Sequence, residues 1–214
     1  MGTMVGPTPW TPNMKLYFSP GSCALSPHIV LEEAGLPYEA EKVNLRTKQT
    51  ASGADFVALN PKGYVPALQL DDGTVLTEGP AIVQYLADLV PAKGLAPANG
   101  TLPRYQLQSW LTFIGTELHK SFSPFFNPAA TPEMKDIARG NLERRLGYVD
   151  AQLAERDFLL GEAFSVADAY LFTVLSWAKI VKIDLSPWSQ ITAYQARVGA
   201  RPAVQAALKA EGLI

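Results

Sequence analysis

Met14-Lys15-Leu16-Tyr17-Phe18-Ser19-Pro20-Gly21-Ser22-Cys23-Ala24-Leu25-Ser26 is the stretch from which the fold of this chain can be read. Its first five residues form a short strand-like run. Ser19-Pro20-Gly21-Ser22 is turn chemistry, and an apolar helical run follows over 29–34. One thiol therefore stands where a strand hands over to a helix, and Cys23 is the only cysteine in the sequence. Backbone N–H groups at a helix N-terminus are unpaired and partly positive, so they favour a thiolate. That placement predicts a Cys23 pKa below the free value of about 8.5. The competing reading is a small buried hydrophobe.

Outward from this stretch, short strands alternate with helices. Strands are predicted at 14–19 and 38–43. A helix over 23–34 is stopped by Gly35 and Pro37, and a shorter one over 54–59 by Asn60-Pro61-Lys62-Gly63. Arms at 65–70 and 74–76 flank Asp71-Asp72-Gly73, a hairpin signal. Pro80 suits the first position of a helix over 80–89. The order β-α-β-α-β-β-α predicts a mixed sheet with helices on its faces.

Residues 90–101 are a linker by composition. Everything from 102 to 214 is helical by period. Helices are expected over 102–122, over 132–155 with Ile137, Leu142, Leu146, Val149 and Leu153 on one face, over the strongly apolar and hence central 165–182, and over 187–198 and 202–209. The fold class is thus an α/β domain over 14–89 followed by an all-α domain over 102–214. Residues 1–13 hold Pro7, Pro9 and Pro12 and no charged residue. They are read as an extension outside the fold rather than a secretory signal, with Trp10 suited to dock on the surface.

Composition narrows the function. A net charge of −2 and a pI near 5.7 argue against a nucleic-acid surface. No apolar run approaches the ~20 residues of a membrane span. A single cysteine points to a reducing, cytoplasmic location. Two histidines and no metal-ligand spacing point to no metal.

Five segments in order resemble the cytosolic glutathione transferases, the bacterial beta class most closely, over 14–214. Residues 14–23 are similar to the family's opening strand and cysteine loop. Asn60-Pro61-Lys62-Gly63-Tyr64-Val65-Pro66-Ala67-Leu68 resembles the segment holding the cis-proline of its thioredoxin-like fold. Leu76-Thr77-Glu78-Gly79-Pro80-Ala81-Ile82 is similar to the γ-glutamyl-binding turn. Thr116-Glu117-Leu118-His119-Lys120 resembles the helix carrying an active-site histidine, and Phe164-Ser165-Val166-Ala167-Asp168-Ala169-Tyr170 the central-helix capping box. Two residues depart from the pattern. Ala24 and Gly79 stand where the family usually has serine, so hydroxyls at Tyr17, Ser19, Ser22 or Ser26 are left to hold a thiolate.

The resemblance implies roles for particular residues. Cys23 and His119 are the catalytic candidates. Tyr64, Val65, Pro66, Glu78, Gly79 and Lys120 are the glutathione-binding candidates. Physical argument supports several of them. Val65-Pro66 is an X-Pro bond, where cis is cheap, and Val65 backbone groups could pair with an extended peptide; an ordinary turn proline is the alternative. Gly79 reads as an N-cap whose following N–H groups suit a carboxylate. Glu78 suits an ammonium group, or is simply solvated. His119 can orient a thiol or water, or is structural, and Lys120 can meet a carboxylate or stand in solvent. His28 reads as a packing or polar-support residue, Trp177 as core, and Ser165 and Asp168 as a capping box. Phe113, Phe122, Phe125 and Phe126 suit an apolar second site or the core.

The expected function is conjugation of glutathione, as co-substrate, to a small apolar electrophile in detoxification. Thiol–disulfide exchange through Cys23 accompanies it, and the resemblance adds a homodimer. Two alternatives stay open: a glutathione-dependent thiol reductase with little conjugating activity, and a non-catalytic interaction module on the same fold.

Overall fold

In the computed structural model, residues 13–214 are described; all of the 1–13 extension except Asn13, Trp10 included, lies outside them. Five strands form one sheet in the order β3-β2-β1-β4-β5. The central strand, β1 (Met14–Phe18), is parallel to β2 (Tyr38–Asn44) and antiparallel to β4 (Ala67–Gln69). The hairpin predicted around Asp71-Asp72-Gly73 is β4–β5, with β5 at Val75–Thr77. Sequence reading missed β3, Gln49–Thr50, a two-residue strand too short to show a period.

Helix α1 (Leu25–Ala34) packs against α3 (Gly79–Leu89) and against two helices of the second half, α7 (Val166–Ile180) and α9 (Pro202–Ala210). All of its first seven residues are buried, which a purely amphipathic helix would not allow. It ends at Gly35 in the left-handed region, φ 67°, as the glycine predicts. The short α2 (Phe56–Leu59) is capped by Asp55, whose carboxylate accepts the Val57 N–H at 2.9 Å. The Val65–Pro66 peptide is cis.

The 90–101 segment is fastened at several points. It contains a 3₁₀ turn at Pro91–Lys93, and Leu95 is buried with its carbonyl accepting the Val166 N–H. Arg104, buried at the start of α4 (Leu102–Phe113), donates to Asp88 at 2.7 and 2.8 Å and to the Pro97 carbonyl at 3.0 Å. That guanidinium joins α3 to α4.

The long helix expected over 102–122 is not continuous. A π-helical segment, Ile114–His119, separates α4 from α5 (Lys120–Phe126). The wider turn ends at His119, the histidine expected to be catalytic, and such bulges often mark functional sites. In α6 (Pro132–Leu153) the buried stripe is Ala138, Leu142, Leu146, Val149 and Leu153; Ile137 points outward, because one residue is a rotation of about 100°. Helix α7 has 12 of its 15 residues buried and is central, as its sequence predicts, and α8 (Ser189–Gly199) packs beside it. The capping box is present. Asp168 accepts the Ser165 N–H (2.9 Å), the Ser165 hydroxyl (2.8 Å) and the Leu159 N–H (2.9 Å).

Candidate functional site

Helix α1 begins at Leu25, so Cys23 lies in the turn before it rather than in its first turn. The turn is held from both sides. Trp177 Nε1 donates to the Gly21 carbonyl at 2.8 Å, and the Glu211 carboxylate accepts the Gly21 N–H at 2.8 Å. The other Glu211 oxygen lies 2.9 Å from His28 Nδ1, with both side chains fully buried. His28 is therefore the polar support its sequence context suggests. Glu211 carried no sequence signal, because its partner Gly21 is 190 positions away.

The thiol itself departs from expectation. Cys23 Sγ–H donates to the Val65 carbonyl at 3.3 Å, a bond only the neutral thiol can make. Burial is the main cause that pushes the Cys23 pKa up, to about 11, and the Glu78 carboxylate adds to it. The backbone N–H groups of Cys23 and Ala24, with the Lys120 charge, oppose this and lose. The N–H groups before the helix do lower the pKa, as expected, but desolvation, which can shift a buried group by several units, outweighs them.

Cys23 shares a cavity of about 510 Å³ with Ser22, His119, Phe126, Trp177 and Ile180. His119 Nδ1 lies 2.7 Å from the Tyr170 hydroxyl, and its ring stands edge-on to Trp177 at 4.7 Å. Burial first, then the neighbouring Lys120 charge, lowers the His119 pKa to about 4, so the imidazole is neutral at pH 7. Tyr170 sits on the apolar α7 with its hydroxyl inward. A buried phenol needs a polar partner, and that is the one sequence cue that could have found it. Trp177, read as core, is also a wall of the cavity.

The second cluster lies around Glu78. Its carboxylate accepts Lys62 Nζ at 2.5 Å and the Tyr64 hydroxyl at 2.8 Å, and those two bonds, Lys62 foremost, hold its pKa below the usual range. Glu78, not Gly79, precedes the helix, and its backbone is in the left-handed region at φ 72°. A non-glycine residue there costs about 1–3 kcal/mol and persists where surroundings impose it. Gly79 is buried within the first turn, where an added Cβ would meet Pro66 Cγ and Ser26 Oγ at 3.8 Å, ordinary contact. Val65 is buried, and its N–H has no partner among the described residues. Lys120 is exposed and forms no ion pair among them, yet its charge is felt at Cys23, Glu78 and His119. Cys23, Val65, Glu78, His119 and Lys120 thus share one neighbourhood. Of the hydroxyls in question, Ser22 lines the cavity, Ser26 is buried and donates to the Cys23 carbonyl, and Tyr17 donates to Gln69. A larger groove, about 770 Å³, lies along α7 and α8 and contains none of these residues.

Known proteins resemble this chain along most of its length. Residues 21–89 match the model for the glutathione S-transferase N-terminal domain, and residues 113–202 that for the C-terminal domain. The chain is 48% identical to glutathione S-transferase GstA of Escherichia coli O157:H7, over 94% of this chain and all of that protein. A solved sphingomonad glutathione S-transferase complexed with glutathione superposes with a TM-score of 0.90 at 51% identity, covering 94% of this chain and all of that one. A bacterial beta-class glutathione S-transferase from Sphingomonas chungbukensis superposes with a TM-score of 0.91 at 48% identity, with the same coverage. With both halves matched and the relatives aligned end to end, this chain belongs to the glutathione S-transferase family.

Proposed function

We propose that this protein conjugates glutathione to small apolar electrophiles. The observation that carries the reading is one cavity, walled by Cys23 and His119 and opening beside the Val65 backbone, in a chain of this family. Glutathione lies along Tyr64, Val65 and Pro66. Its cysteinyl amide pairs with the Val65 backbone, its α-ammonium meets Glu78, its γ-glutamyl carboxylate faces the N–H groups after Glu78, and Lys120 meets its remaining carboxylate. The division at 90–101 then separates a glutathione-binding half from a half that lines the electrophile site.

In the reaction the glutathione thiolate attacks an electrophilic carbon. A C–S bond forms, the carbon–leaving-group bond breaks, and the thiol proton passes to solvent. Neutral His119 is available to accept a proton or orient a water, and the Lys120 charge favours the thiolate. Cys23 is held protonated, which favours conjugation over the reductase reading, because exchange needs the protein thiolate. Disulfide exchange through Cys23 is a slow accompanying route.

A homodimer is supported by exposed Leu102, Tyr105 and Tyr148 on α4 and α6. No described helix is long and apolar enough to cross a membrane, and a cytoplasmic location fits the single free thiol. Titration calorimetry with glutathione tests the binding: saturable uptake of one molecule per chain is expected, and no binding overturns the assignment.

A further inference from the structure

Phe126 and Ile180 stand at the edge of the electrophile cavity. Both side chains are largely exposed, and both also line a second cavity of about 580 Å³. Its far wall carries Lys135, Asp136 and Arg139 from α6. Lys135 and Arg139 are half-buried, and neither pairs with a carboxylate among the described residues. Arg139 lies over the Phe125 ring at 5.6 Å, against the wall. Asp136 is exposed and bonded to neither cation, so two positive charges face one negative one. Two cations on one cavity wall without a bonded counter-ion can together bind an anion by charge-assisted hydrogen bonds. Between them and the reaction centre runs an aromatic path. The His119 and Trp177 rings are 4.7 Å apart, and the Trp177 and Phe126 rings 5.8 Å.

We propose that Lys135 and Arg139 form an anion subsite, and that the preferred electrophile is an elongated carboxylate. Its reactive carbon lies at His119 and Cys23, its apolar body along Trp177 and Phe126, and its carboxylate between the two cations. This rests on the conjugation reading above. It places a specificity element on α6, away from the glutathione groups.

The test uses 4-(bromomethyl)phenylalkanoic acids of increasing chain length, each beside its methyl ester. In each turnover the glutathione sulfur displaces bromide and one proton is released. With the chain that spans the path, the acid should exceed the ester in kcat/KM by about tenfold, the worth of a partly exposed charge-assisted contact. In the Lys135→Gln/Arg139→Gln double variant that ratio should fall to about one. A ratio near one at every length in the wild type overturns the proposal. So does an unchanged ratio in the variant, or a variant defect that appears only as a raised KM for glutathione. If neither acid nor ester is conjugated, the function reading fails instead. Quenching of tryptophan fluorescence by the unreactive 4-methylphenyl acid and its ester then decides the subsite: tighter binding of the acid, lost in the double variant, supports it, and equal binding overturns it.

Discussion

The clearest quantitative consequence concerns the Cys23 thiol. Its pKa is raised from 9.0 to about 11, chiefly by burial. At pH 7 such a thiol holds about one-hundredth of the thiolate of an ordinary cysteine. A more basic thiolate is intrinsically more reactive, and with a Brønsted slope of about 0.45 this recovers about eightfold. Alkylation by iodoacetamide at pH 7 should therefore be about tenfold slower than for a free thiol. The rate should keep rising about tenfold per pH unit to pH 10 without levelling. Intact-mass measurement of the alkylated fraction between pH 6 and 10.5 reads this directly. Lys120→Gln should slow it further, since that charge opposes the rise. A plateau at or below pH 8.5 would refute the reasoning and restore the helix-terminus expectation.

Three further predictions follow from the same geometry. Glu78→Gln should weaken glutathione binding about tenfold, as a charged partner of the ammonium is lost; because Glu78 is half-exposed, its pairing with Lys62 should contribute little to folding, and an unchanged calorimetric affinity removes Glu78 from the site. The folded His119 pKa of about 4 lies below the ordinary 6.5, so the unfolded chain takes up the proton first as pH falls. Stability is then full above pH 6.5 and is lost on the way down to pH 4, by up to ~3 kcal/mol; urea midpoints of His119→Asn should show a shallower slope across that window, and equal slopes contradict the assignment. Glu211→Ala strands the Gly21 N–H and buried His28, costing about 3 kcal/mol. For a chain of this size that is a Tm drop of about 6–12 °C by scanning calorimetry, and a drop under 2 °C would show the tie to be inert.

What could be read from sequence was whatever depends on neighbours along the chain. Gly35 and the Ser165–Asp168 box mark helix ends by chemistry within a few residues, and they stand where expected. The β4–β5 hairpin and the cis Val65–Pro66 bond carry similarly local signals. The misses are long-range or differential. Glu211 on Gly21 and Tyr170 on His119 join residues far apart in sequence. The Cys23 pKa is a contest between local N–H groups and burial, and burial is set by the whole fold. The exchange of Ile137 for Ala138 shows a third limit, since two adjacent apolar residues leave a helical stripe ambiguous.

The central claim is that the attacking sulfur belongs to bound glutathione and not to Cys23. It is tested most directly by steady-state conjugation of glutathione to 1-chloro-2,4-dinitrobenzene, with wild type and Cys23→Ala measured side by side. The account predicts thioether and chloride in equal amounts, formed well above the uncatalysed rate. It predicts that Cys23→Ala keeps most of this rate while losing the mixed disulfide formed with oxidised glutathione. Conjugation no faster than the uncatalysed reaction, or abolished together with the disulfide in Cys23→Ala, would contradict it.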